Sequence, residues 1–268
     1  MGLEHLTHQE QARIFAAALL AALGIVEIVA PWLFWCTWAY FRGARAALPP
    51  DQRERLARVL AQREEAEANT GRYSRYAGVF TIVIAPLTIL PAVPFVLPYS
   101  LFCLAMAGAT LLSYLHFRRA TERRVAPLLP RNPWASLSRV GVAATTICLF
   151  GAALFAVYPQ YRLGVVVVIA SSIVLLFIAW RVAVAPALLL GNDSQLEYVV
   201  DEHLRYARAT NLLTLACAPP LVLIEIATAT LPSAAHFYNV VIVVAAGIAF
   251  FTMLAVSFSS TRKRLKIA

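Results

Sequence analysis

The chain has 268 residues, 60% of them hydrophobic and only 14% charged, with a mean hydropathy of +0.70; a soluble domain carries about 25% charged residues. The formal net charge of +9 does not point to nucleic acid, because the basic residues fall in the gaps between apolar runs, where membrane topology requires them. These properties exclude an ordinary soluble domain and predict an all-α fold, a polytopic membrane helix bundle forming one membrane domain over residues 1–268.

Seven apolar runs are predicted to span the bilayer, at about 14–41, 76–97, 101–117, 140–157, 163–190, 209–231 and 239–259. The stretch GLEHLTHQEQAR lacks the basic start and small-residue cleavage site of a signal peptide, so no cleavable signal is expected. Within it, Thr7 and Glu10 have the spacing of a capping box ahead of the first helix. At roughly 42 Å if fully helical, the first span exceeds the hydrocarbon core and is expected to tilt, kink at Pro31, or protrude. Trp32, Trp35 and Trp38 near its end read as an interfacial aromatic belt.

The gap 42–75 holds eight arginines and a predicted helix over 51–68 with a thin apolar stripe of Leu56, Val59 and Leu60. That stripe suits either a solvated connector or a helix lying on the bilayer surface. In the second span Pro86, Pro91, Pro94 and Pro98 fall within thirteen residues, too many for a regular helix. The connectors 118–139 and 191–208 hold six and two arginines, and the tail from Thr261 adds four basic residues. Asn132 with Pro133 is expected to open the segment leading into span four. Gly191 is expected to close span five, and Ser194 with Glu197 to open a short helix separate from span six. Twenty basic residues thus fall on one side under a seven-span model. The positive-inside rule then sets the N-terminus outside and the C-terminus in the cytoplasm. Arginine outnumbers lysine 21 to 2, a hint of a GC-rich bacterial genome and hence of a bacterial inner membrane.

A charge at the bilayer centre costs about 2.5–3.5 kcal/mol on insertion scales, so charged residues within spans are candidates for function. Three occur, Glu27, Arg181 and Glu225. Arg181 lies near the cytoplasmic end of span five beside Trp180 and reads as an interfacial basic residue. Glu27 precedes Pro31 by four positions, and Glu225 follows the pair Pro219 and Pro220 by five. A proline frees a backbone carbonyl, and carboxylates near such breaks build ion and substrate sites in transporters. One expectation is therefore a cavity holding both acids and lined by Pro86, Pro91, Pro94, Pro219 and Pro220. The other is two separate acids, each hydrogen-bonded to a neighbouring helix as a packing group.

The remaining residues mostly exclude. The only lysines, Lys263 and Lys266, lie in the tail, which rules out a Schiff-base lysine inside the bundle. His116 is the only histidine within a span, so no bis-histidine haem is expected. His5, His8 and His236 form no convincing metal set, and neither HExxH nor GxSxG occurs within a span. Cys36, Cys103, Cys148 and Cys217 fall in four different runs, with no pairing pattern and no disulfide expected. No cofactor or metal is expected; the partners are the lipid bilayer and, as further options, another membrane protein or a second copy. Function reads first as a transport protein or membrane-complex subunit using buried carboxylates. The alternatives are a membrane enzyme acting on an apolar lipid or terpenoid by acid–base chemistry, and a non-catalytic scaffold.

Overall fold

The structure, a computed structural model, describes residues 8–29, 50–66, 70–120, 137–185 and 194–230, together with positions 244, 247 and 248. Among these residues every regular element is helical: α1 (His8–Val29), α2 (Pro50–Ala66), α3 (Thr70–Ile84), a 3-10 turn (Ala85–Thr88), α4 (Val96–Ala120), α5 (Arg139–Leu154), α6 (Arg162–Val184) and α7 (Ser194–Thr230). Short 3-10 turns at Phe155–Val157 and Pro159–Tyr161 join α5 to α6. Among the described residues four stretches are long and apolar enough to cross a membrane: Val96–Leu115, Arg139–Val157, Pro159–Val184 and Leu196–Thr228.

The side chains are arranged as a lipid solvent demands. Outward faces carry large apolar groups such as Phe15, Val83, Phe150, Val166 and Phe177. The interior instead collects small residues, including Ala144, Cys148, Ala152, Ala179, Ala209, Ala216 and Cys217. With lipid tails as apolar as leucine, burying large groups gains little; close approach of small residues and hydrogen bonds between helices hold such bundles together. Helices α4, α5, α6 and α7 form the main core, while α1 packs on α3 and its 3-10 turn, and α3 on α4.

Several boundaries differ from the sequence expectation. The second span is helical only to Ile84; after the 3-10 turn the chain runs without regular structure to Phe95, because Pro91 and Pro94 lack the N–H groups that would continue a helix. The helix expected to stand apart at 194–209 is continuous with span six, giving one helix of 37 residues. No glycine or proline interrupts residues 194–218, so nothing in the local chemistry ends it. The stripe Leu56, Val59 and Leu60 of α2 is neither solvated nor on lipid; it is buried against Val200 and Leu204 of α7, with Leu196 beside them. Helix α5 is capped by Ser138, whose Oγ accepts from Gly141 N at 3.1 Å. The predicted features at Thr7, Pro31, the three tryptophans, Asn132–Pro133 and Gly191, and almost all of span seven, lie outside the described residues.

Candidate functional site

Helices α1 and α3 run antiparallel and touch backbone to backbone at two glycines. A Cβ added at Gly24 would lie 2.7 Å from the Gly78 carbonyl oxygen, and one at Gly78 would lie 2.7 Å from the Gly24 carbonyl oxygen. Residues three and four positions away share a helix face with these glycines. Glu27 (Gly24 plus three) and Ser74 (Gly78 minus four) are therefore brought together. Ser74 Oγ donates to Glu27 Oε2 at 2.6 Å, and the glutamate is 5% exposed. The glycines make the contact close, and the contact seals the acid from water. A carboxyl group held this way can accept from Ser74 and can take up or release a proton, but it presents no open face to a large substrate.

Glu225 lies elsewhere. Arg13, near the start of α1, donates from Nη1 to the carbonyls of Thr88 at 3.0 Å, Leu90 at 2.8 Å and Val93 at 3.4 Å. Its guanidinium also sits 5.9 Å from the centre of the Phe95 ring, and Phe95 stacks on Tyr99 with centroids 5.9 Å apart. Glu225 lies near Tyr99. Arg13, Phe95, Tyr99 and Glu225 thus mark one end of the bundle. Glu27 lies fourteen positions along α1 from Arg13, roughly 21 Å away along the axis. The two acids are also separated laterally, since α1 packs on α3, α3 on α4, and α4 on α7. The structure does not bring them together. Nor is Glu225 buried, as the sequence suggested: Leu223 and Ile224 turn inward, at 3% and 1% exposure, and the next position, about 100° further round the helix, is exposed.

The prolines divide in the same way. Pro86 and Pro91 are exposed and Pro94 is half-buried, and three carbonyls of their irregular segment, those of Thr88, Leu90 and Val93, accept from Arg13. Non-helical backbone at membrane depth must find such partners; here a side chain supplies them where a wet cavity had been expected. Pro219 and Pro220 are buried inside an uninterrupted α7. Pro220 cannot donate to the carbonyl of Ala216 four residues earlier. That oxygen instead accepts from Ser172 Oγ of α6 at 3.0 Å. Thr145 of α5 reaches the neighbouring Leu213 carbonyl at 3.5 Å and Cys217 Sγ at 3.3 Å. These contacts make a polar seam across α5, α6 and α7 that neutralises the break without opening the helix.

At the opposite end of α7 a charged cluster lies inside the fold. Arg205, 1% exposed, donates to the Ala185 carbonyl just beyond α6 at 2.6 Å, and its Nε is 2.9 Å from Asp201 Oδ2. Glu197, one turn earlier, is 2% exposed. Sequence reasoning placed these residues in a short cytoplasmic helix of a connector. The missed signal was an Asp–Arg pair four residues apart on a helix that also carries Val200 and Leu204. Arg181 is exposed in the last turn of α6. Among the described residues no group of three His, Cys, Asp or Glu side chains is placed to hold a metal ion.

No family model matches this chain, and no curated protein or solved structure matches it significantly.

Proposed function

We propose that this chain is a seven-span protein of a bacterial inner membrane, N-terminus outside and C-terminus cytoplasmic, working as a non-enzymatic transport or membrane-complex component. Its working acid is Glu27. The observation that carries this reading is the Ser74–Glu27 hydrogen bond of 2.6 Å, sealed by the Gly24–Gly78 contact. A carboxyl group in a dry helix interface makes different demands on its surroundings when neutral and when ionised. Its proton therefore governs how closely α1 can lie on α3, and α1 contributes no residue to the main core.

The acid–base enzyme alternative needs two carboxyl groups facing one apolar pocket. The roughly 21 Å offset of Glu27 from the bundle end where Glu225 lies speaks against that pairing. The orientation rests on the twenty basic residues segregated to one side of the seven predicted spans.

The test uses spin labels on exposed positions of α1 and α3 in the reconstituted full chain, with their separation measured from acid to alkaline pH. The wild-type distance should change with pH. Glu27→Gln, which can still accept from Ser74 but does not titrate, should hold one distance throughout and should abolish the chain's contribution in cells that need it. A wild-type distance indifferent to pH, or a fully active Glu27→Gln chain, would remove Glu27 from the function.

A further inference from the structure

Three helices bring arginines to one depth on the outside of the bundle, and their contacts with α7 set that depth. Ser172 of α6 reaches the Ala216 carbonyl and Arg205 reaches the Ala185 carbonyl, so α6 and α7 are antiparallel. Arg181, nine residues past Ser172, then lies roughly 13.5 Å nearer the Ser194 end of α7, level with Ala207. Helix α5 runs with α7, since short turns fold it back from α6. Its Thr145 meets Leu213 and Cys217, so Arg139, six residues earlier, is level with Ala209. A Cβ at Gly164 would touch both Val96 and Leu223, which makes α4 antiparallel to α7 and lets α3, folded back on α4, run with it. Ala77 of α3 packs with Met106 and Ala109 of α4, and Leu215 of α7 rests against the same cluster. Arg72 is therefore level with Thr210, and Arg75 lies just under a turn further in. Arg72, Arg75, Arg139 and Arg181 are all exposed. Tyr76 and Trp180 beside them are exposed too, at 67% and 40%, as aromatic side chains are where a bilayer meets water.

The fold also sets the sign of this rim. On the same stretch of α7, Glu197 and Asp201 are buried and Glu202 is half-buried, and Asp201 is matched internally by Arg205. At the other end of the bundle Arg162 is exposed together with Glu10 and Glu225, while Arg13 is engaged with backbone carbonyls. Among the described residues of the apolar helices, the surplus of exposed positive charge therefore lies at one end. We propose that the rim of Arg72, Arg75, Arg139 and Arg181 is a binding surface for anionic phospholipid, seating phosphodiester headgroups of one leaflet. A guanidinium offers a phosphate two parallel N–H donors, and its long stem carries the charge to headgroup level from a helix face that lipid covers. The lipids that fit are those whose headgroup keeps a net negative charge, phosphatidylglycerol being the simplest. This inference does not rest on Glu27, and it holds for either orientation of the chain.

The experiment places the full chain in phosphatidylcholine liposomes with a trace of spin-labelled phosphatidylglycerol, or of spin-labelled phosphatidylcholine with the same acyl chains. Electron paramagnetic resonance then reads the fraction of label held against the protein. That fraction should be larger for phosphatidylglycerol, by up to about fivefold in relative association constant, the factor one basic residue supplies at an anionic leaflet. Molar salt should reduce the preference. With Arg72, Arg75, Arg139 and Arg181 all changed to glutamine the two lipids should associate equally, whereas Arg162→Gln, at the other end, should keep the wild-type preference. Equal association of both lipids with the wild-type chain would overturn the inference however the variants fold. So would a preference that survives intact in the fourfold variant. A preference erased by millimolar inorganic phosphate at fixed ionic strength would assign the rim to a soluble anion and overturn the lipid reading as well.

Discussion

Replacing Gly24 or Gly78 with alanine tests the close contact between α1 and α3. In each case the new methyl would meet a carbonyl oxygen of the facing helix at 2.7 Å, about 0.7 Å short of the 3.4 Å at which ordinary contact begins. Neither obstacle is the far end of a flexible side chain, so the helices themselves must part. At Gly24 the Cγ1 of Ile82 adds a second clash at 2.8 Å. Overpacking of this kind costs about 1–3 kcal/mol. Separation would also stretch the Ser74–Glu27 bond next door, and an interhelical hydrogen bond in a membrane is worth about 0.6 kcal/mol on average. Each variant should therefore lose about 2 kcal/mol in a reversible detergent-unfolding titration. Gly108 is the internal control, since a Cβ there meets nothing within 4 Å. Gly108→Ala should be neutral or slightly stabilising, because alanine is the better helix former. If all three variants unfold within about 0.5 kcal/mol of one another, the ordinary scatter of surface changes, the close α1–α3 approach is wrong, and with it the argument that Glu27 is sealed from water.

Two further predictions concern polar groups that the bundle satisfies across helices. Ser172→Ala should cost about 1–2 kcal/mol by stranding the Ala216 carbonyl; in a Pro220→Ala background, where residue 220 regains an N–H for that oxygen, the loss should shrink to almost nothing. Equal losses in both backgrounds would show that Ser172 does not serve the proline. Arg205→Leu should cost about 3–5 kcal/mol, because it removes the 2.9 Å ion pair from a buried Asp201, whereas the double variant Arg205→Leu with Asp201→Leu should recover most of that. Thermal unfolding of the purified chain reads both, and a double variant no better than the single one would refute the pairing.

What could be read from the sequence follows from the physics of each feature. Hydrophobic length is a property of consecutive residues, so the helical class and the presence of apolar helices at α4, α5 and α6 were legible. The irregular stretch after Ile84 was legible too, because four prolines in thirteen positions forbid a helix whatever surrounds them. Its consequence was not. That the freed carbonyls of Thr88, Leu90 and Val93 would be taken by Arg13 depends on α1 folding back antiparallel to α3, a pairing between residues 75–80 positions apart. The facing of Glu225 was missed because its neighbours Leu223, Ile224 and Ile226 are equally apolar, and an all-round apolar helix gives no periodic signal to say which side is inside. Asp201 and Arg205 were missed for the opposite reason. Their charges imitate a solvated surface, and only the docking of α2 and the end of α6 around them makes that surface interior.

A common rule joins these particulars. At four places where the apolar pattern is interrupted by a buried polar group or a proline, the interruption is met by a group on another helix. Arg13 of α1 serves the broken end of α3, Ser74 of α3 serves Glu27 of α1, Ser172 of α6 serves the Pro220 site of α7, and Arg205 of α7 closes the end of α6. The polar groups therefore do more than satisfy themselves; they fix which helices are neighbours, a role that non-directional apolar packing against lipid cannot fill. Glu225 departs from this rule by facing outward. It stands twenty positions from Arg205 on one helix, roughly 30 Å along the axis, which equals the thickness of a hydrocarbon core. Glu225 is exposed on α7, whereas Glu27 accepts from Ser74 inside the close α1–α3 contact, and that burial is why we propose Glu27, and not Glu225, as the acid whose proton is coupled to the packing of a helix.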